Sequence, residues 1–170
     1  MVTNKNNNVF ISLGGSGHYI MDDFNIDLIP LDNRLHLDTD RFSIERWSGN
    51  KILIGKSSTE GLSSSRLPSL GKRAIDESLF DIFIELKRKN KVFLIAGLGG
   101  GTGSAAPHLA SALSKIGKDV HLILSALDLD FERDLIHKNV GDAVLEAKNI
   151  EPDLTSLTIM KPNWELFKKT

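Results

Sequence analysis

Six short apolar runs recur along the chain with longer helical patterns between them, and this alternation restricts the possible folds more than any other feature. The runs are Val9-Phe10-Ile11-Ser12-Leu13, Leu35-His36-Leu37, Lys51-Ile52-Leu53-Ile54, Val92-Phe93-Leu94-Ile95-Ala96, Val120-His121-Leu122-Ile123-Leu124 and Leu157-Thr158-Ile159-Met160. Several are apolar nearly throughout rather than alternating, which suits strands of a parallel sheet covered on both faces. Between them, Ile75, Leu79, Ile82, Phe83 and Leu86 recur at helical spacing ahead of Lys87-Arg88-Lys89, where a helix C-terminus favours positive charge. Leu109, Leu113 and Ile116 make a second stripe ended by Gly117, and Ile136, Val140, Ala143, Val144 and Ala147 a third. A further helix is expected within residues 19–33, although Pro30 interrupts the pattern, and residues 57–69 read as one long surface loop. The fold these features predict is one α/β domain over residues 1–170: a doubly wound, mostly parallel, Rossmann-like sheet of about six strands with helices on both faces.

Composition removes several function classes. A net charge of −1 provides no basic field for nucleic acid or an anionic membrane. The absence of cysteine excludes disulfides, zinc-thiolate sites and thiol nucleophiles. No apolar run reaches the ~18 residues that span a bilayer, and the polar, asparagine-rich start is no signal peptide. A soluble, cytoplasmic domain without direct membrane insertion is expected. The five histidines (His18, His36, His108, His121, His137) read as scattered, with no metal-ligand spacing. Trp47 and Trp164 read as packing residues, with stacking of Trp164 on a base left open by its neighbour Asn163.

Two of the strands run into glycines. The first ends in Gly14-Gly15-Ser16-Gly17-His18 and the fourth in Gly97-Leu98-Gly99-Gly100-Gly101-Thr102-Gly103-Ser104, with a helix immediately after. Glycine lets the backbone approach a ligand closely, and amides feeding a helix N-terminus cradle anions. Each cluster alone is also what a tight strand-to-helix turn requires. Five glycines between positions 97 and 103 exceed that need and point to a phosphate site. A side chain at Gly101 is therefore expected to block phosphate with little effect on folding. Gly55-Lys56-Ser57 is not a P-loop ending, because Asn50 stands where that motif needs glycine. A dinucleotide fingerprint begun at Gly97 or Gly99 meets Thr102 or Ser104 in place of its third glycine.

The stretch Ala96-Gly97-Leu98-Gly99-Gly100-Gly101-Thr102-Gly103-Ser104-Ala105-Ala106-Pro107 resembles the signature of the tubulin/FtsZ superfamily, although the glycine that follows Ser104 there is missing here. The resemblance continues through Leu37-Asp38-Thr39-Asp40, Lys51-Ile52-Leu53-Ile54-Gly55, Thr59-Glu60-Gly61-Leu62, Pro68, Gly71-Lys72-Arg73-Ala74, Glu77-Ser78, Phe131-Glu132 and Pro162-Asn163. It implies binding of GTP or GDP, with Mg2+ held through the nucleotide. Gly14, Gly15, Ser16, Gly17, Gly99, Gly100, Gly101, Thr102, Gly103 and Ser104 would form the phosphate loops, with His18 and Asp40 beside them. Glu132 would meet the ribose and Asn163 the base, while helix-capping roles for these two stay open.

Several positions depart from the family pattern. His18 and Asp38 stand where the family carries Asn, and Ser63-Ser64-Ser65-Arg66-Leu67 replaces its Gly-Ala-Gly-Ala-Asn. The chain ends at Thr170, ahead of the family's central helix, acidic catalytic loop and C-terminal activation domain. Catalytic residues are thus not identified, and little GTP hydrolysis is expected from the chain alone. The expected partners are guanine nucleotide and a full-length FtsZ/tubulin-like protein or the chain itself, met through filament capping or co-assembly. A degenerate interaction module that no longer binds nucleotide and a Rossmann-type dinucleotide enzyme remain as alternatives.

Overall fold

The computed structural model describes residues 7–23, 28–126 and 134–161. Each apolar run forms a strand: β1 Asn8–Leu13, β2 Arg34–Asp38, β3 Asn50–Leu53, β4 Lys91–Gly97, β5 Asp119–Ser125 and β6 Ser156–Met160. They form one sheet in the order β3-β2-β1-β4-β5-β6, and every neighbouring pair is parallel. Successive strand residues point to opposite faces. Ile11, Ser12 and Leu13 in β1 and Leu94, Ile95 and Ala96 in β4 are all at most 1% exposed. Both faces of the sheet centre are therefore covered, which explains why these runs do not alternate.

The helices are α1 Gly14–Asp23, α2 Arg41–Ile44, α3 Pro68–Glu85, α4 Gly101–Ser104, α5 Ala106–Lys115 and α6 Asp134–Ile150. The stripes read from the sequence are their inner faces: Ile75 and Ile82 on α3, Leu109 and Leu113 on α5, Val140 and Ala147 on α6 are buried in the core. Truncating a fully buried leucine such as Leu113 would cost about 2–5 kcal/mol. Pro68 occupies the first turn of α3, where its fixed φ suits a helix start.

Three expectations need correction. The helix placed within residues 19–33 begins earlier, because α1 starts at Gly14. Residues 31–33 instead form a short 3-10 turn into β2. Glycines carry poor helix propensity, so Gly14, Gly15 and Gly17 hid the start of α1. Packing overrides that propensity: a Cβ on Gly17 would lie 2.7 Å from the Ile95 carbonyl oxygen, so glycine lets α1 seat against β4. The loop at 57–69 ends at Leu67 and is not wholly superficial, since Thr59 and Ser64 are buried. The histidines are not all scattered either, because His18 and His36 meet in one buried cluster.

Candidate functional site

From β1 the chain moves outward to β2 and β3, then returns to place β4 on the other side of β1. The crevice outside the carboxyl ends of two such strands is where open α/β sheets bind ligands. Leu13 pairs with Ala96 in register, so the glycine turns that follow β1 and β4 leave the sheet side by side. Between them opens a cleft of about 230 Å³. That is smaller than the ~300–1,000 Å³ of a site enclosing a drug-sized ligand.

One wall of the cleft is backbone. Gly14, Gly15 and Ser16 line it from the first turn, and Gly100, Gly101, Thr102 and Gly103 from the second. Gly14 has φ +74, and a Cβ there would sit 3.2 Å from the Gly103 nitrogen, so the two turns touch. The first amides of a helix lack intrahelical acceptors and favour anions, and the wall includes the starts of both α1 and α4. Gly100 is exposed, with nothing within 4 Å of a would-be Cβ, so its backbone is open to a ligand. Gly101 behaves differently from the sequence expectation. A side chain there would collide with the Ser64 hydroxyl and come within 2.7 Å of the Leu67 nitrogen, so it would disturb the fold itself.

The other wall is built from side chains: Asp38, Asp40, Ser43, Ser63, Ser64 and Arg66. Thr102 ties the walls together, with its hydroxyl 2.8 Å from both the Thr39 and Ser64 hydroxyls. Asp40 caps α2, its Oδ1 accepting from the amides of Phe42 (2.8 Å) and Ser43 (3.1 Å). Glu60, Ser63, Ser65 and Arg66 all take positive φ, a strained state that persists only where surroundings fix it. Here Arg41 donates to the Glu60 carbonyl (2.8 Å), Ser63 donates to the Thr39 carbonyl (3.2 Å), and the Asn139 amide donates to Arg66 O (2.9 Å) and Gly99 O (3.0 Å).

Of the remaining residues singled out from sequence, Gly17, His18, Gly99 and Ser104 do not line the cleft. Ser104 accepts from the Gly99 amide at 2.9 Å and so braces the second turn. His18 lies behind the first. Glu132 and Asn163 fall outside the described residues. Ser43 went unremarked in the sequence, and Ser63, Ser64 and Arg66 stood there only as departures from the family's loop. Hydroxyl-rich loops carry no periodic signal, and only the strand order brings these residues to the glycines.

Behind the cleft, polarity fixes a hydrogen-bond chain. A carbonyl can only accept, so His36 Nε2 donates to Ser48 O at 3.1 Å. Neutral His36 then accepts at Nδ1 from the Ser12 hydroxyl (2.8 Å), and the same hydroxyl oxygen lies 2.6 Å from His18 Nδ1. His18 Nε2 donates to Asp38 Oδ2 at 3.1 Å, which sets the imidazole against the carboxylate. Asp38 Oδ1 also accepts from the amides of Thr39 (2.7 Å) and Asp40 (3.2 Å). Burial, and secondarily the charge of His18, lowers the His36 pKa to about 4. Ser12, His18 and Asp38 follow the order of a hydrolytic triad, yet Ser12, which would be the nucleophile, is 0% exposed and does not line the cleft.

The sequence matches the tubulin/FtsZ family, GTPase domain, over residues 5–168. The chain belongs to that family. It is 30% identical over 162 residues to cell division protein FtsZ 1 of Methanocaldococcus jannaschii, covering 93% of this chain and 43% of that protein. To FtsZ 1 of Pyrococcus horikoshii it is 39% identical over 125 residues, covering 69% and 31%. An FtsZ of M. jannaschii solved as an empty dimer superposes with a TM-score of 0.85 at 25% identity, over 99% of this chain and 49% of that one. A TubZ protofilament from bacteriophage PhiKZ shares the fold, with a TM-score of 0.76. The chain thus spans less than half the length of these FtsZ relatives.

The family frame clarifies the departures. His18 and Asp38, the two positions at which the resemblance described above has Asn, contact each other. Ser63 and Ser65 stand where the family pattern has glycine and retain the positive φ that glycine would supply.

Proposed function

We propose that the chain binds the phosphates of GTP or GDP in this cleft and acts through filament assembly, by joining or capping filaments of a full-length relative or of its own kind. The observation that carries the reading is the convergence of two glycine turns at the β1/β4 switch point, each opening a helix. The amides of residues 14–16 and 100–103 would hold the phosphates, the Thr102 bonds would keep the walls in place, and magnesium would come with the nucleotide. Glu132 would serve the ribose and Asn163 the base. The assembly part draws on the rim of the cleft. Phe42 (71% exposed), Leu62 (65%) and Leu67 (47%) are exposed next in sequence to the lining residues Ser43, Ser63 and Arg66, and together they would supply the apolar part of a contact.

Thermal melting with nucleotide tests the binding part. Ligand at ~100 times Kd stabilises the folded state by ~2.7 kcal/mol, a rise of roughly 5–11 °C at this chain length. Millimolar GTP with magnesium should produce that rise and ATP or NAD should not. An unchanged melting curve, or equal shifts with all three, would refute guanine-nucleotide binding. For assembly, substoichiometric chain should shorten filaments of an FtsZ relative by electron microscopy and pelleting, and Phe42→Ser should weaken the effect. Unaltered filaments would remove the capping role.

A further inference from the structure

We infer that Arg66 is the counter-charge of the cleft, and that through it the site takes up a polyphosphate without needing a divalent ion. The inference rests on the phosphate part of the reading above. A polyanion entering the cleft meets two carboxylates, Asp38 and Asp40, and one cation, Arg66. Asp38 is paired with His18, and Asp40 is engaged in capping α2. The neighbouring cations are also committed: Arg41 clamps the Glu60 carbonyl, and Lys72 pairs with Glu146 at 2.6 Å. Among the described residues, Arg66 alone lines the cleft as a charged residue whose side chain has no hydrogen bond or ion pair. Its backbone does have partners, since its carbonyl is held by Asn139 and its φ is +62. The loop thus fixes where the guanidinium starts and leaves its five donors for an anion, and bidentate guanidinium–phosphate contacts are among the stronger hydrogen bonds. Ser64, which precedes this strained pair, rests on Thr102 and so keeps the arginine beside the glycine turns.

The test measures binding of inorganic tripolyphosphate and of GTP to the 170-residue chain by calorimetry in EDTA, so that no metal charge contributes. Wild type should bind tripolyphosphate. Arg66→Gln should weaken that binding tenfold or more, and Arg66→Lys by a smaller factor because it keeps the charge but loses the fork. Arg66→Gly suits the positive φ, so it should melt no lower than wild type while binding as poorly as the Gln variant. Equal tripolyphosphate affinity in wild type and Arg66→Gln overturns the inference, even if GTP binds. Arginine-dependent binding of tripolyphosphate upholds it whether or not GTP binds, and failure of GTP to raise the melting temperature with magnesium then removes the guanine-nucleotide reading alone. Absence of tripolyphosphate binding in EDTA overturns the inference and leaves that reading to the melting experiment.

Discussion

The two walls of the cleft are made from different materials. Residues 14–16 and 100–103 present backbone on a frame set by strand register, and their side chains are mostly hydrogen atoms. Residues 38–43 and 63–66 present carboxylates, hydroxyls and a guanidinium on loops held by Arg41, Thr102 and Asn139. A backbone wall serves any ligand of the right shape and tolerates no added atoms where it packs. A side-chain wall can be re-tuned residue by residue without moving the strands that carry it.

The sharpest break in that comparison comes from two adjacent glycines. Gly101→Val pushes a side chain against the Leu67 backbone, and overpacking of this kind costs ~3 kcal/mol. The melting temperature should fall by roughly 6–12 °C. Gly100→Val meets nothing within 4 Å, so it should melt like wild type yet bind GTP at least tenfold more weakly. Similar melting temperatures for both variants would erase the distinction between packed and open glycines.

A smaller effect is expected at the joint between the walls. Asn139→Asp keeps the shape but turns a donor to two carbonyls into an acceptor facing them. Leaving such buried groups unsatisfied costs ~2 kcal/mol, or roughly 4–8 °C. A variant as stable as wild type in differential scanning calorimetry would show that the walls hold without this bridge. Next comes Thr102→Val, which removes the shared bonds to Thr39 and Ser64 at ~1–2 kcal/mol. Thr102→Ser should recover most of that stability, and equal losses in both variants would assign the effect to the methyl group.

The smallest prediction concerns pH. His36 has a folded-state pKa of about 4 against an ordinary 6.5, so between those values the unfolded chain binds the extra proton. Stability from its neutral form is therefore fully present above pH 6.5 and declines as pH falls towards 4. The slope is at most ~1.4 kcal/mol per pH unit. His36→Gln should flatten the dependence of melting temperature on pH in that window, and an unaltered slope would mean that other groups govern acid sensitivity.

The pattern of what was legible in the sequence follows the same division. The strands could be read because burial on both faces leaves runs such as Val92 to Ala96 apolar throughout. The glycine turns could be read because few other tasks need so many residues without side chains. The start of α1 could not, since its glycines are poor helix formers held in place by contact with β4. Ser43 was invisible as a site residue, and Ser64 and Arg66 were visible only as departures from a family loop, because loop serines and arginines are ordinary until a sheet order places them beside Gly101 and Thr102. The pairing of His18 with Asp38 spans 20 positions and two elements, a contact that one sequence does not reveal.

Asn139 also bears on how the molecule breathes. Its one amide nitrogen holds the carbonyls of Arg66 and Gly99, which belong to different loops, while its own backbone lies within α6. Local opening in proteins proceeds by cooperative units, and this bridge joins the 63–67 loop, the 97–101 turn and the middle of α6 into one. Amide hydrogens in those three segments should therefore exchange with a common free energy of opening, although they lie far apart in the chain. A ligand that secures either loop would then slow exchange in a helix it never touches.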